Sequence, residues 1–321
     1  MMSIDEFYQE WNNTEDKLLV HTSGSTGKPK PLWVEKRRME ASANITCDFL
    51  GLKKGDTALL CMSLDYIAGK MMVVRSMVRE LNIIVVTPSG HPLSNVKTPI
   101  DFAAMVPLQV FNSLQVPIER ERLMRIKNLI IGGGAIDNEL ATTLKSFPNA
   151  VWSTYGMTET LSHIALRRLS GEEASEWYTP FPSVKISLNE DNCLVIDAPL
   201  VCSETLKTND IAEIHNGQFR ILGRKDNVIV SGGVKIQIEE IERLLKPHLK
   251  NTFLITKRQD KKFGEIVVML TTSEDVSEIR HVCEKVLPKF WQPKVYISVK
   301  EIPLTETGKL ARKEAELIAN R

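Results

Sequence analysis

The sequence predicts an α/β protein of two domains, and three patterns support this. Through the first half of the chain, short strand-like runs alternate with helical patterns, which is typical of βαβ units around a mainly parallel sheet. From about Val184 to Leu222 short strands with turn residues predict a small antiparallel sheet or barrel. A fresh α+β pattern begins after Gly223. The chain of 321 residues is long enough for two domains, which we place at 1–223 and 224–321.

The elements of the first half follow from apolar periodicity and from breaker residues. Gly51 ends the first helical pattern, and Asp137 can cap the start of the last one. The helices are predicted at Glu35–Leu50, Ile67–Leu81 and Asp137–Phe147. The strands are predicted at Thr57–Met62, Ile83–Thr87, Lys127–Ile131 and Ala150–Thr154.

The later elements are assigned in the same way. Turns at Asn189–Asn192 and Asn216–Gly217 divide the antiparallel part into strands. In the second domain, Pro247 ends a helix and a terminal helix follows Gly308. The other elements of that domain are predicted as helices at Gln237–Leu245 and Val276–Val286, and as strands at Thr252–Thr256, Glu265–Leu270 and Val295–Val299.

Charge and cysteine content argue against several classes of protein. The chain has 41 Lys+Arg and 40 Asp+Glu, a formal net charge of +1, so no overall field favours a nucleic acid or an anionic membrane as partner. No apolar run reaches the ~18–20 residues of a membrane-spanning helix, and the acidic N-terminus does not resemble a secretory signal. The five cysteines form no CxxC pair. We therefore expect a cytoplasmic protein with free thiols rather than a disulfide framework or a metal cluster.

A loop rich in hydroxyl groups, glycine and lysine lies near the start of the chain. His21–Lys30 reads HTSGSTGKPK, in which glycines let backbone N–H groups face an anion while hydroxyl and ammonium groups add donors. A solvated Ser/Gly turn is the alternative. The loop is not that of a P-loop NTPase, because Gly27 and Lys28 are followed by Pro29 where Walker A requires Ser or Thr.

Further short motifs follow this loop. They are GGGAI at Gly132–Ile136, YGMTET at Tyr155–Thr160, TND at Thr208–Asp210, GRKDNVIVSGGVKI at Gly223–Ile236 with EEIE at Glu239–Glu242, and PLTETGK at Pro303–Lys309. Each is weak alone, but together and in this order they resemble the AMP-forming acyl-CoA synthetase, adenylation-domain and luciferase superfamily over about residues 20–312. In that superfamily a carboxylate attacks the α-phosphate of ATP, and a thiol, usually that of CoA, then takes the acyl group. The resemblance implies an acid–thiol ligase that uses ATP, Mg²⁺ and CoA.

The resemblance also implies which residues hold the nucleotide. Thr158 would hydrogen-bond the α-phosphate, and Glu159 would hold Mg²⁺. Asp210 would accept the ribose hydroxyls with help from Arg224, and Lys309 would neutralise charge that builds at the α-phosphate. The β/γ-phosphates would lie on Thr22, Ser23, Ser25, Thr26 and Lys28, and the adenine between Tyr155 and the small residues Gly133, Gly134 and Ala135. Taken singly, each of these side chains also has an ordinary explanation as a core, turn or surface residue.

The same resemblance implies a mobile second domain. Asp226 occupies the position of the family's hinge, and Gly232 and Gly233 leave room for the pantetheine chain of CoA once the domain has rotated. Lys309 would serve the first half-reaction and the glycine loop the second. The alternative is that 223–227 is only an interdomain turn.

The acyl substrate is predicted from cations near the expected pocket. Lys70 and Arg75 lie on an otherwise apolar helical pattern, and Ser162 and His163 directly follow the YGMTET turn. Cations in such a place favour a substrate with a second negative charge, and Arg168 is another candidate for binding that charge. Snorkelling Lys and Arg side chains and a core histidine are the alternatives. These segments resemble those of short o-succinylbenzoate–CoA ligases of menaquinone biosynthesis, which implies an aromatic dicarboxylic acid as substrate.

Two features depart from the superfamily pattern. The phosphate loop begins at residue 21, so the N-terminal βα domain is predicted to be truncated, with apolar surface that a second copy of the chain covers in a homodimer. Asn209 stands where Gly is usual, which should be harmless because Asn tolerates left-handed backbone.

Three other functions stay open at this point. They are a CoA ligase for another aryl or medium-chain acid, an adenylation enzyme that loads a separate carrier protein, and a non-catalytic nucleotide-binding scaffold. The intact Glu159, Asp210, Arg224 and Lys309 argue against the scaffold.

Overall fold

A helix and a hairpin begin the chain. The computed structural model describes residues 2–21, 31–134, 136, 138–305 and 309–321. Helix α1 (Ile4–Trp11) starts at a capping box on Ser3 and buries Phe7. Strands β1 (Lys17–His21) and β2 (Pro31–Glu35) pair antiparallel, with His21 opposite Pro31. The residues on either side of 22–30 are therefore held next to each other.

A seven-stranded sheet follows, with the spatial order β4-β3-β5-β6-β7-β8-β9. Its strands are β3 (Thr57–Leu60), β4 (Asn82–Val85), β5 (Phe102–Met105), β6 (Asn128–Ile131), β7 (Ala150–Gly156), β8 (His163–Arg168) and β9 (Thr179–Pro180). Strands β3 to β7 pair in parallel, and β8 and β9 continue the sheet antiparallel. The predicted βαβ organisation is confirmed, whereas β5, β8 and β9 had no sequence prediction.

Helices cover this sheet. They are α2 (Lys36–Leu50), α3 (Ile67–Arg79), α4 (Pro107–Gln115), α5 (Pro117–Arg125) and α6 (Asn138–Lys145). Gly51 adopts the left-handed conformation that ends α2 as predicted. Helices α2 and α3 pack on each other, and α3 buries every residue from Gly69 to Ser76. That burial takes two basic residues of α3 into the interior.

A four-stranded antiparallel sheet comes next, as predicted. Its strands are β10 (Lys185–Leu188), β11 (Cys193–Asp197), β12 (Leu206–His215) and β13 (Gln218–Arg224), in that spatial order. Asn192 and Asn216 have positive φ angles of 58° and 49° at the tight turns, which asparagine tolerates better than most residues. The hairpin of β12 and β13 places Asp210 opposite Arg224.

A five-stranded sheet with three helices completes the chain. Its elements are β14 (Val228–Ser231), β15 (Val234–Gln237), α7 (Ile238–Leu245), β16 (Phe253–Asp260), β17 (Gly264–Thr271), α8 (Val276–Val286), β18 (Val295–Ser298) and α9 (Arg312–Ala319). Helices α7 and α8 share one core cluster, whereas α9 contributes Ala315 and Ala319 to two others. A 3₁₀ turn, Lys225–Asn227, leads from β13 to β14, and the boundary between domains there stays a prediction.

Two further findings concern the cysteines and membrane-spanning helices. All of the cysteines lie in the described residues, and each is a free thiol, as predicted. Within the described part of the chain, no helix is long and apolar enough to cross a membrane.

Candidate active site

The carboxyl ends of β6 and β7 carry the first predicted motifs. Because these strands are parallel neighbours, Gly133 and Gly134 lie at the same edge of the sheet as the segment that begins at Tyr155. Gly133 has a φ of 82°, which favours glycine, and both glycines are exposed. They present a surface without side chains at this edge.

A hydrogen-bonded cluster joins the seven-stranded sheet to the four-stranded sheet. The Tyr155 hydroxyl donates to Asp210 Oδ2 at 2.6 Å, and Arg224 donates to Asp210 Oδ1 at 2.8 Å. The Asp210 side chain is 13% exposed. Burial and the Asp210 carboxylate raise the pKa of Tyr155, so its hydroxyl stays protonated and serves as a donor. The cluster fixes the Asp210 carboxylate from two sides.

The Tyr155 ring packs among other aromatic rings. Its centroid lies 5.0 Å from that of Phe219 in an edge-on arrangement and 5.8 Å from that of Tyr178. These contacts hold the Tyr155 ring in place. Whether it stacks on adenine, as the resemblance implies, stays a prediction.

The cluster extends to the predicted hinge. Arg224 donates a second hydrogen bond to Asp226 Oδ2 at 2.9 Å, and the Asn209 amide donates to both Asp226 oxygens at 3.0 and 3.2 Å. Asp226 is thus tied to the strand pair that carries Asp210. Sequence reasoning treated Asn209 as a harmless departure and missed this contact, because it depends on the pairing of β12 with β13.

A short 3₁₀ turn, Thr158–Thr160, follows β7. Thr158 is buried and Glu159 is exposed, so neighbouring residues present their side chains to different surroundings. At Gly156 a Cβ atom would come within 2.0 Å of the Ser162 carbonyl oxygen. The turn can therefore close only on glycine, and it brings Ser162 and His163 back beside the end of β7.

A second cluster, around Arg75 of α3, contains the predicted Ser162 and His163. Arg75 donates to Ser162 Oγ at 2.7 Å, and Ser162 Oγ lies 3.1 Å from His163 Nδ1. His163 Nε2 lies 3.1 Å from the hydroxyl of Thr46, which donates to the Ser42 carbonyl. These hydrogen bonds assign the ring proton to Nε2. Because the Ser162 oxygen accepts from Arg75, its hydroxyl proton goes to Nδ1, which must therefore be unprotonated. Sequence reasoning missed Thr46, whose place on α2 gives no local signal.

Burial sets the charges of this cluster. Arg75 is 2% exposed, and burial lowers its pKa to about 10, so it stays charged at neutral pH. Within the described residues no carboxylate pairs with it, and its Nε atom has no hydrogen-bond partner. Burial, and then the charge of Arg75, lower the pKa of His163 well below its ordinary value, so the imidazole is neutral. The cluster is a buried cation whose charge is not balanced by the described residues.

The other two predicted cations have different surroundings. Lys70 is buried as well, but its ammonium pairs with Glu10 at 3.2 Å and donates to the Leu19 carbonyl at 3.3 Å. It ties α3 to α1 and the first hairpin. Arg168 donates to both oxygens of Ser170 and lies over the Trp152 ring. Neither joins the Arg75 cluster.

The remaining predicted residues lie elsewhere. Burial lowers the pKa of Lys309. Its backbone carbonyl accepts from the Thr305 N–H at 2.7 Å, and its backbone N–H donates to the Thr305 hydroxyl oxygen at 3.1 Å. Gly232 and Gly233 form the exposed turn between β14 and β15. Thr22, Ser23, Ser25, Thr26, Lys28, Ala135 and the predicted cap Asp137 lie outside the described residues.

The donors and acceptors fit an adenine nucleotide with a divalent cation. Each Asp210 oxygen accepts one hydrogen bond, and an ionised carboxylate offers about four acceptor positions, so positions remain for ribose hydroxyls. Mg²⁺ is commonly bound by one or two carboxylates together with phosphate oxygens, which suits the exposed Glu159. Such a site does not need a group of three or more Asp, Glu, His or Cys, and the described residues contain none.

Comparison with known proteins identifies the family. The model of the AMP-binding enzyme family matches residues 7–199, more than half of the chain. The chain belongs to the AMP-binding enzyme family. Among its relatives, 2-succinylbenzoate–CoA ligase of Salmonella typhimurium is 27% identical over 303 residues, which cover 88% of this chain and 64% of that enzyme. The chain thus spans less than two thirds of this relative's length.

Solved structures agree with this assignment. An acyl-CoA synthetase (AMP-forming)/AMP-acid ligase II-like protein from Dyadobacter fermentans is 33% identical with a TM-score of 0.66, covering 98% of this chain and 92% of that one. O-succinylbenzoate coenzyme A synthetase from Bacillus subtilis, in complex with ATP and magnesium ion, has a TM-score of 0.77 at 22% identity, covering 92% and 69%. The family and the fold class predicted from the sequence are confirmed.

Proposed function

We propose that the chain is an AMP-forming acid–CoA ligase, and that its acid is an aromatic dicarboxylate such as 2-succinylbenzoate. The family and the name of the Salmonella relative support the reaction class. The proposal that the substrate is a dicarboxylate rests on the Arg75 cluster. A buried guanidinium without a carboxylate partner in the described residues is costly in the empty protein. A carboxylate of the substrate would balance that charge on binding.

The reaction has two steps. First, a carboxylate oxygen of the acid attacks the α-phosphorus of ATP, and the bond to pyrophosphate breaks. Second, the thiolate of CoA attacks the acyl carbon, and AMP leaves. Both steps transfer an acyl or adenylyl group without oxidation or reduction.

The proposed roles of individual residues follow the geometry of the two clusters. Asp210, fixed by Tyr155 and Arg224, is suited to accept the ribose hydroxyls, and the exposed Gly133 and Gly134 to face the base. Glu159 would hold Mg²⁺, which when bound neutralises charge on the phosphate oxygens. Thr158 would contact the α-phosphate.

Specificity for a diacid would come from the second cluster. The substrate's distal carboxylate would accept from Arg75, which also donates to Ser162, while its reacting carboxylate would lie toward the Thr158–Thr160 turn. The neutral His163 keeps a second positive charge out of the site and holds the Ser162 hydroxyl by a hydrogen bond. Because Lys70 is engaged by Glu10, Arg75 is the cation proposed to read this carboxylate.

We further propose that the part of the chain after Asp226 alternates between two arrangements. Lys309 would close on the α-phosphate in the first, and Gly232 and Gly233 would border the pantetheine chain in the second. The hydrogen bonds of Asp226 with Arg224 and Asn209 support this proposal, because they can break and re-form as the chain rotates.

The proposal is tested by measuring products of ATP in the absence of CoA. With Mg²⁺ and a panel of aromatic mono- and diacids, we expect acid-dependent release of pyrophosphate and no release of ADP. Release of ADP, or an ATP turnover that ignores the acid, would contradict the reaction class. A preference for monoacids across the panel would contradict the role of Arg75.

A further inference from the structure

Asn209 is connected to the Asp210 carboxylate through two other side chains. Its exposed amide donates to both oxygens of Asp226, at 3.0 Å to Oδ1 and at 3.2 Å to Oδ2. Asp226 Oδ2 also accepts from Arg224 Nη2 at 2.9 Å, and Arg224 Nη1 donates to Asp210 Oδ1 at 2.8 Å. The guanidinium therefore spans two carboxylates and gives one nitrogen to each.

The orientation of the Asp226 carboxylate depends on Asn209. The Asp226 side chain is 46% exposed and stands on the short 3₁₀ turn Lys225–Asn227, so water competes for its oxygens. Holding an exposed side chain in one rotamer costs conformational entropy. The two hydrogen bonds from the Asn209 amide oppose that cost and keep the carboxylate turned toward Arg224.

The engagement of Asp226 in turn limits how Arg224 binds Asp210. An arginine tends to donate two parallel hydrogen bonds to one carboxylate, which here would occupy more of the acceptor positions of Asp210. With its second nitrogen on Asp226, Arg224 donates to one Asp210 oxygen, while Tyr155 donates to the other at 2.6 Å. Acceptor positions of Asp210 are thereby left for a ligand that carries hydroxyl groups.

We propose that Asn209 is a positioning residue for the nucleotide. Through Asp226 and Arg224 it keeps acceptor positions of Asp210 free for the ribose hydroxyls of ATP, without itself contacting the nucleotide. This inference rests on the proposed function, because it takes Asp210 to bind the ribose. The backbone of Asn209 is not left-handed, so its amide, rather than a tolerance of positive φ, is what the structure uses at this position.

The test compares the binding of ATP with that of 2′,3′-dideoxyATP, which lacks both ribose hydroxyls. Dissociation constants would be measured by calorimetry with Mg²⁺, without acid or CoA. The wild-type protein should bind ATP about tenfold more tightly than the dideoxy nucleotide, or better. In Asn209→Ala the Kd for ATP should rise about three- to tenfold, the effect of roughly one net hydrogen bond, while that for the dideoxy nucleotide changes by less than about twofold.

A double-mutant cycle tests the route through Asp226. Asp226→Ala should raise the Kd for ATP, and adding Asn209→Ala should raise it no further, because residues that act through one network are not additive. Asn209→Ser keeps one donor and should show an intermediate loss. The matched control is Gln218→Ala, which removes an amide that donates to Thr179 at 2.8 Å at the opposite end of the same hairpin. It should bind both nucleotides as the wild type does.

The outcomes separate this inference from the proposed function. Equal losses with ATP and the dideoxy nucleotide would show a general structural role and overturn the inference. Unchanged binding of both nucleotides with slower thioester formation would make Asn209 a contact of the hinge alone, which also overturns it. If the wild-type protein binds both nucleotides equally, the proposed ribose role of Asp210 fails too. If it prefers ATP and Asn209→Ala retains the full preference, only this inference fails.

Discussion

Replacing Arg75 with methionine separates the effect of its buried charge on protein stability from its effect on substrate selectivity. Methionine has a similar length and no charge, so it fills much of the same space on α3. Burial lowers the pKa of Arg75 to about 10. Since each pKa unit corresponds to ~1.4 kcal/mol, the charged form is disfavoured at this site by roughly 3 kcal/mol. Part of the gain from removing the charge is offset by loss of the hydrogen bond to Ser162.

We expect the variant to be at least as stable as the wild type but to lose its preference for the diacid over a monoacid. In chemical denaturation without substrate, the free energy of unfolding of the Arg75→Met variant should equal or exceed that of the wild type. In pyrophosphate release, the KM for 2-succinylbenzoate should rise by ~10²–10⁴-fold, as expected when a buried ion pair worth ~3–5 kcal/mol is lost. The KM for a monoacid that lacks the distal carboxylate should change by about threefold at most.

Lys70 supplies the matched control, because it is also a buried base on α3. Lys70→Met leaves Glu10 without its partner, so it should lower stability while preserving the ratio of KM values for diacid and monoacid. A ratio that collapses in the Lys70 variant and survives in the Arg75 variant would refute the reasoning. So would a marked loss of stability in Arg75→Met without substrate.

Three further predictions follow from single residues. Glu159→Gln should lower the rate of pyrophosphate release by ~10²-fold and raise the Mg²⁺ concentration needed for half-maximal rate; an unchanged Mg²⁺ dependence would remove Glu159 from the metal site. Burial keeps the pKa of His163 below the value of ~6.5 that it has when unfolded, so as pH falls below ~6.5 the unfolded state binds the extra proton and stability decreases. His163→Gln should reduce that decrease by up to ~1.4 kcal/mol per pH unit in denaturation curves, and parallel curves would show that His163 titrates normally. Lys309→Ala should abolish most adenylation in single-turnover assays but transfer a supplied acyl-adenylate to CoA at nearly the normal rate, whereas equal loss of both steps would argue against alternating arrangements.

Local sequence patterns predicted the fold where a segment carries its own signal. Helix α2 ends at the predicted Gly51 because left-handed backbone favours glycine there. Strand β5 was missed, because its four residues, FAAM, are too short a run to separate from a loop. Strands β8 and β9 were missed too, because β8 depends on pairing with β7, and β9 on pairing with β8, rather than on their own residues.

The candidate site was predictable to a similar degree. The motifs predicted Asp210, Arg224 and Tyr155, which meet in one cluster, although their roles stay predictions. The sequence pattern of positive charges on an apolar helix did not show whether Lys70 or Arg75 would bind the substrate's distal carboxylate. That choice depends on Glu10, which lies in the unpredicted α1 and is brought to Lys70 only by tertiary packing.

The most direct test of the account is the identity of all products from one reaction. Purified protein would be mixed with ATP, Mg²⁺, CoA and 2-succinylbenzoate, and the products would be identified by mass spectrometry and quantified. The account predicts AMP, pyrophosphate and a mono-thioester of CoA in equal amounts, with the thioester absent when any one substrate is omitted. ADP with phosphate, or AMP formed at the same rate without the acid, would contradict it.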